Sequence, residues 1–95
     1  MSQMTVDQAL QLALQHQEAG QTAEAEDIFR QVLSAFPDQP DALHMLGALR
    51  FVNGDVSEGE QLVRRAIELA PTQALYEGTL SVILTGSGRA AERPR

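Results

Sequence analysis

Shifting residues 6–39 by 34 positions onto residues 40–73 superimposes identical residues at Asp7/Asp41, Leu12/Leu46, Gly20/Gly54, Glu24/Glu58, Glu26/Glu60, Arg30/Arg64, Pro37/Pro71 and Gln39/Gln73. Ordinary residue frequencies would leave roughly two chance identities over such a window. A third copy starts at Ala74 and keeps step through Leu80 and Gly88, so that Leu12, Leu46 and Leu80 form one series and Gly20, Gly54 and Gly88 another. A fixed period of this length means that one small unit recurs, too small to bury its apolar face alone and stacked on its neighbours to do so. It divides the chain into a lead-in at 1–5, copies at 6–39 and 40–73, a half copy at 74–88, and a basic tail at 89–95 that is expected to be disordered.

Within each copy the punctuation predicts two helices. Thr5 with Gln8 makes a capping box ahead of the apolar positions Ala9, Leu10, Leu12, Ala13 and Leu14. Gly20 then stops the first helix, since glycine takes the left-handed conformation without a Cβ penalty. Thr22 is the expected cap of the second helix, with Glu24 and Glu26 near its positive end, and Pro37 closes it. The second copy repeats the scheme with Pro40 in the first turn, Asn53-Gly54 as the stop, a second capping box at Asp55 and Glu58, and Pro71 at the end. Thr72 is the expected cap of a fifth helix ending near Gly86 and Gly88. The predicted fold class is all-α, an antiparallel helix-pair solenoid of about five helices. With only 4% aromatic residues the core must rest on Leu, Ile, Val and Ala, which suits close helix packing.

The formal charge of −6 argues against a nucleic-acid partner, because binding phosphates needs concentrated basic side chains. Lysine is absent, and Arg89, Arg93 and Arg95 lie in the tail, so the body is more acidic than the total suggests. The same balance disfavours a helix-turn-helix DNA binder. Without cysteine there is no disulfide framework and no thiolate site. The opening MSQMTVDQALQLALQH has neither a basic start nor a continuous apolar run, and no stretch approaches the roughly 18 apolar residues of a membrane span. A cytoplasmic location without membrane attachment is the expectation.

Chemistry-bearing constellations are few. His16 and His44 are the only histidines, and Asp41 one turn before His44 makes two possible ligands at most. Glu26 with Arg30 and Glu60 with Arg64 stand four residues apart at equivalent positions of the two copies, as ion pairs on a solvated helix face do. The GSGR segment follows no strand and lacks the lysine of a phosphate loop. No catalytic, cofactor-binding or metal-binding residue is predicted.

The pattern Leu12, Ala13, Gly20, Ala25, Phe29, Val32, Pro37, repeated as Leu46, Gly47, Gly54, Gly59, Val63, Ala66, Pro71, resembles the tetratricopeptide repeat family, with two full copies and half of a third. Ala9 and Leu43 stand where that family usually has Trp, and His16 and Arg50 where it usually has Tyr. The resemblance implies a protein or peptide partner held in a groove lined by the first helix of each copy. Carried over by register, the groove comprises Leu10, Leu14 and Gln17; Asp41, His44, Ala48 and Phe51; and Leu75, Gly78, Val82 and Thr85. Relatives that clamp a terminal carboxylate use Lys and Asn there. This chain has no Lys, and its one Asn, Asn53, is at a turn, so an amphipathic helix or another hydrophobic surface is the better match. The competing reading is that these side chains are core.

Two further expectations follow. Where the first copy has Asp7, Gln15 and His16, the third has Leu75, Ile83 and Leu84. Together with Tyr76, these point to a bare last helix and to self-association as a homodimer or higher homo-oligomer through Leu75, Tyr76, Ile83 and Leu84. The wording EAEDIFRQVL…FPDQPDALHMLG also resembles N-terminal repeats of bacterial proteins that continue into glycosyltransferase-like domains. That alternative makes the chain the substrate-positioning part of a larger enzyme.

Overall fold

A computed structural model describes residues 4–86. They form five helices and no strand: α1 (Val6–Glu18), α2 (Thr22–Ala35), α3 (Pro40–Val52), α4 (Val56–Leu69) and α5 (Ala74–Gly86). The helices of each copy are joined by three-residue connections, short enough to make them antiparallel neighbours. The pairs α1/α2 and α3/α4 pack within themselves, α2 meets α3, and α5 lies against α4 and α3. Val6, Pro40 and Ala74, the first residues of α1, α3 and α5, stand 34 residues apart. The basic tail falls outside the described residues. No helix among those described is long and apolar enough to cross a membrane.

Local chemistry explains each boundary. The Thr5 side chain accepts from the Gln8 amide at 3.1 Å while the Gln8 side chain accepts from the Thr5 amide at 2.9 Å, completing the predicted box. Asp55 caps α4 through the Glu58 amide, but the reciprocal bond is not made because the Glu58 carboxylate turns to Arg50 and Arg30. The expected threonine caps are corrected. Thr22 is the first residue of α2, whose N-cap Gln21 makes no side-chain cap bond, its Oε1 meeting the His16 ring at 2.6 Å instead. Thr72 stands two residues ahead of α5, and Gln73 occupies the preceding position. Gln39 shares that register and caps α3 by accepting from the Ala42 amide at 3.0 Å. Glutamine is a poor predictor of a cap, which is why the nearby threonines drew the assignment.

The stops are two matching Schellman motifs. The Gln21 amide reaches the His16 carbonyl and Gly20 reaches Gln17; likewise Asp55 reaches Arg50 and Gly54 reaches Phe51. Gly20 has φ +82° and Gly54 φ +100°, with open space where a Cβ would stand. Gly54→Val is therefore expected to cost about 1–2 kcal/mol or more through left-handed strain alone, whereas Gly54→Asn should cost much less. Urea unfolding of the two variants checks this; an unchanged midpoint for valine would exclude the strained conformation.

Helices within a pair approach closely because their contact residues are small. Ala13 and Ala25 are fully buried in the first pair. In the second, a Cβ on Gly59 would stand 2.7 Å from the Gly47 carbonyl oxygen, and one on Gly47 2.9 Å from that of Gly59. Backbone touches backbone there, so the glycine at 59, where the first copy has Ala25, fits a tighter crossing. Above this contact Phe29, Val32, Leu46 and Leu49 fill the interface of α1, α2 and α3, and Leu43, Ala66 and Tyr76 fill that of α3, α4 and α5. Leu33 and Leu62 pack against both clusters and make the core continuous.

Candidate functional site

α3 packs against α5, and α1 and α3 together line one depression, so the first helices of the copies share one face. α3 and α5 are bridged by polar contacts: the Tyr76 hydroxyl donates to Asp41 Oδ1, His44 Nε2 lies 2.7 Å from Thr79 Oγ1, and the His44 and Tyr76 rings stack 4.7 Å apart. Thr79 Oγ1 donates to the Leu75 carbonyl, so it accepts from His44, which fixes the Nε2–H tautomer. Burial pushes the His44 imidazole below its ordinary value, opposed in part by the Asp41 charge, and keeps it neutral. Burial and the bond to Asp41 push the Tyr76 phenol upward. His44 and Asp41 thus have packing partners; among the described residues no group of three His, Asp or Glu side chains is placed to hold a metal ion. Sequence reading missed this cluster, although both bonds join residues one repeat plus one position apart.

The 34-residue register arranges this face in rows across α1, α3 and α5. Asp7, Asp41 and Leu75 form one row, Leu10, His44 and Gly78 the next, then Leu14, Ala48 and Val82, and finally Gln17, Phe51 and Thr85. Their exposure is uneven. Leu14 is 42%, Leu75 67% and Val82 60% exposed, while Leu10 and His44 are buried and Gln17, Ala48 and Phe51 half-buried. Phe51 also has a packing role: a Cβ on Gly86 would fall 2.5 Å from its ring, and one on Gly59 3.1 Å from its Cβ. Two shallow depressions indent the face. One, about 300 Å³, lies between α1 and α3 and is lined by Asp7, Leu10, Gln11, Leu14, Asp41 and Met45. The other, about 450 Å³, is lined by Phe51, Ser81, Val82, Thr85 and Gly86. Of the other exposed large apolar residues, Met4, Phe36 and Val52 sit singly at or beyond helix ends, an ordinary pattern for a protein surface.

The expected self-association residues need correction. Tyr76 is 2%, Ile83 0% and Leu84 7% exposed within the single chain, and Tyr76 packs with Leu43 and Ala66. Only Leu75 of that set is exposed. The side of α5 that continues the α3/α4 type of contact carries Glu77 and Ser81, in register with Leu43 and Gly47, and both are exposed. That edge of α5 is polar.

On another surface Arg50 gathers three carboxylates: Glu58 Oε1 at 2.9 Å, Glu26 Oε1 at 3.0 Å and Asp55 Oδ2 at 3.2 Å. Arg30 closes a ring by pairing with Glu26 at 2.8 Å and Glu58 at 3.3 Å. The predicted Glu26–Arg30 and Glu60–Arg64 pairs are both present at 2.8 Å. The Arg30 hydrogen bond, helped by Arg50, holds the Glu26 carboxyl below its ordinary 4.5, and the Glu58 amide, with Arg50, holds Asp55 below 3.8. A depressed carboxyl value stabilises the fold above the unfolded value, and that stability is lost as pH falls through the folded one. Stability is therefore expected to decline below about pH 4.5, and Arg50→Met should flatten the decline. Urea midpoints of both proteins across that range test it, and identical slopes would remove the network from the account.

A tetratricopeptide repeat family model matches residues 16–83. No curated protein matches the chain.

Proposed function

Since the chain belongs to the tetratricopeptide repeat family, we propose that it is a protein-interaction module that seats an amphipathic helix of a partner protein on the face formed by α1, α3 and α5. The observation that carries this reading is the exposure of Leu14, Leu75 and Val82 on one face, in rows of matching register, beside two depressions. An isolated exposed leucine needs no explanation, but apolar side chains clustered on a rigid helical surface with a polar surround suit a helical ligand whose anchors recur every three or four residues. Self-association through Tyr76, Ile83 and Leu84 is not part of the proposal, because those side chains serve the chain's own core.

The test is a selection from a random peptide display library on the immobilised protein, followed by titration of a recovered peptide. Leu14→Asp and Val82→Asp are expected to weaken binding at least tenfold, about 1.4 kcal/mol, while the circular dichroism spectrum and urea midpoint stay close to the parent. Binding unaffected by both substitutions would overturn the assignment of this face. Phe51→Asp is the poorer probe, since its ring packs on Gly86.

A further inference from the structure

We infer that the partner helix presents an arginine or lysine beside its apolar stripe, and that this cation is received at the α1–α3 depression by Asp7 and Asp41. The inference rests on the binding face proposed above and adds the charge of its occupant. The depression is lined by the apolar side chains of Leu10, Leu14 and Met45 and by two acidic residues, one from the first turn of each helix. That composition matches a long basic side chain, whose aliphatic stem lies on apolar surface while its charged head reaches the edge.

The distribution of charge separates this place from the rest of the surface. Arg30, Arg50, Arg64 and Arg65 are the arginines among the described residues, and each is paired with a carboxylate of α2, α4 or the connections beside them. None of them lines the depression. Among the described residues Asp7 makes no ion pair, and Asp41 is engaged by the Tyr76 hydroxyl, which takes Oδ1 and leaves Oδ2 for a ligand. An acidic helix would meet two unneutralised like charges here, whereas a basic one is attracted both by this pair and by the acidic body.

The experiment compares library selections on the parent protein and on an Asp7→Asn/Asp41→Asn double variant. Peptides recovered on the parent should be enriched in Arg or Lys next to a Leu, Ile, Phe or Met stripe of helical spacing. A recovered peptide should bind the double variant about two- to tenfold more weakly, with a smaller dependence on salt. Both aspartates also lie at the favourable ends of their own helices, so thermal unfolding is followed alongside to separate binding from folding. Peptides without basic enrichment, or an affinity and salt slope unchanged in the double variant, would overturn the inference. If such peptides still lose binding with Leu14→Asp and Val82→Asp, the face stands and only its charge preference fails. Recovery of no peptide, or of peptides indifferent to all four substitutions, would overturn both readings.

Discussion

Phe29→Ala is expected to lower the free energy of unfolding by about 3–5 kcal/mol and to leave a substantial unfolded population at room temperature. Phe29 is fully buried and packs in the cluster formed by Ala9, Leu10, Ala13, Val32, Leu46 and Leu49, so its ring helps join α1, α2 and α3. Removing it leaves a cavity in the contact that couples one repeat to the next. Helices this short do not hold together on propensity alone, and their stability comes from the packed face. A domain of this size has only about 5–14 kcal/mol in total, so the loss is a large fraction of it. Phe36→Ala is the control, since Phe36 is 54% exposed at the end of α2, and it should change stability by about 0.5 kcal/mol or less. Urea unfolding followed by circular dichroism measures both, and similar midpoints for the two variants would show that the aromatic position is not the keystone of the first repeat.

Periodicity made most of the architecture legible. The 34-residue step and the stops at Gly20 and Gly54 fixed the two helix pairs and the start of a fifth helix, because those residues act locally and their effect does not depend on what packs above them. Features that depend on neighbours were less legible. The caps at Gln21 and Gln39 rest on loop geometry that composition does not encode. Arg50 stands where the family usually has Tyr, yet in space it joins α2, α3 and α4 through Glu26, Glu58 and Asp55. On the candidate face, the register brought together the right helices but did not separate Leu14 and Val82, which are exposed, from Leu10 and His44, which are buried.

The clearest case is α5, where neighbouring residues are expected to behave oppositely. Ile83 was matched with Gln15 of the first copy and so appeared misplaced. Gln15 is exposed on α1, whereas the second copy has Leu49 at this register, 1% exposed. Leu49 is the correct guide, and Ile83 is accordingly 0% exposed. Ile83→Glu should therefore undock α5. It removes a buried aliphatic group, a loss of about 2–5 kcal/mol on truncation alone, and puts an unpaired charge in its place. The consequence should concentrate in α5, which packs against α4 and α3, and should expose Tyr76 and Leu43 beneath it. Val82→Glu, one residue away, alters a side chain that is 60% exposed and should shift stability by no more than about 0.5 kcal/mol. Amide hydrogen exchange distinguishes the two: amides of α5 should lose protection in Ile83→Glu and keep it in Val82→Glu. Equal protection in both variants would mean that the buried side of this helix is not the one carrying Ile83.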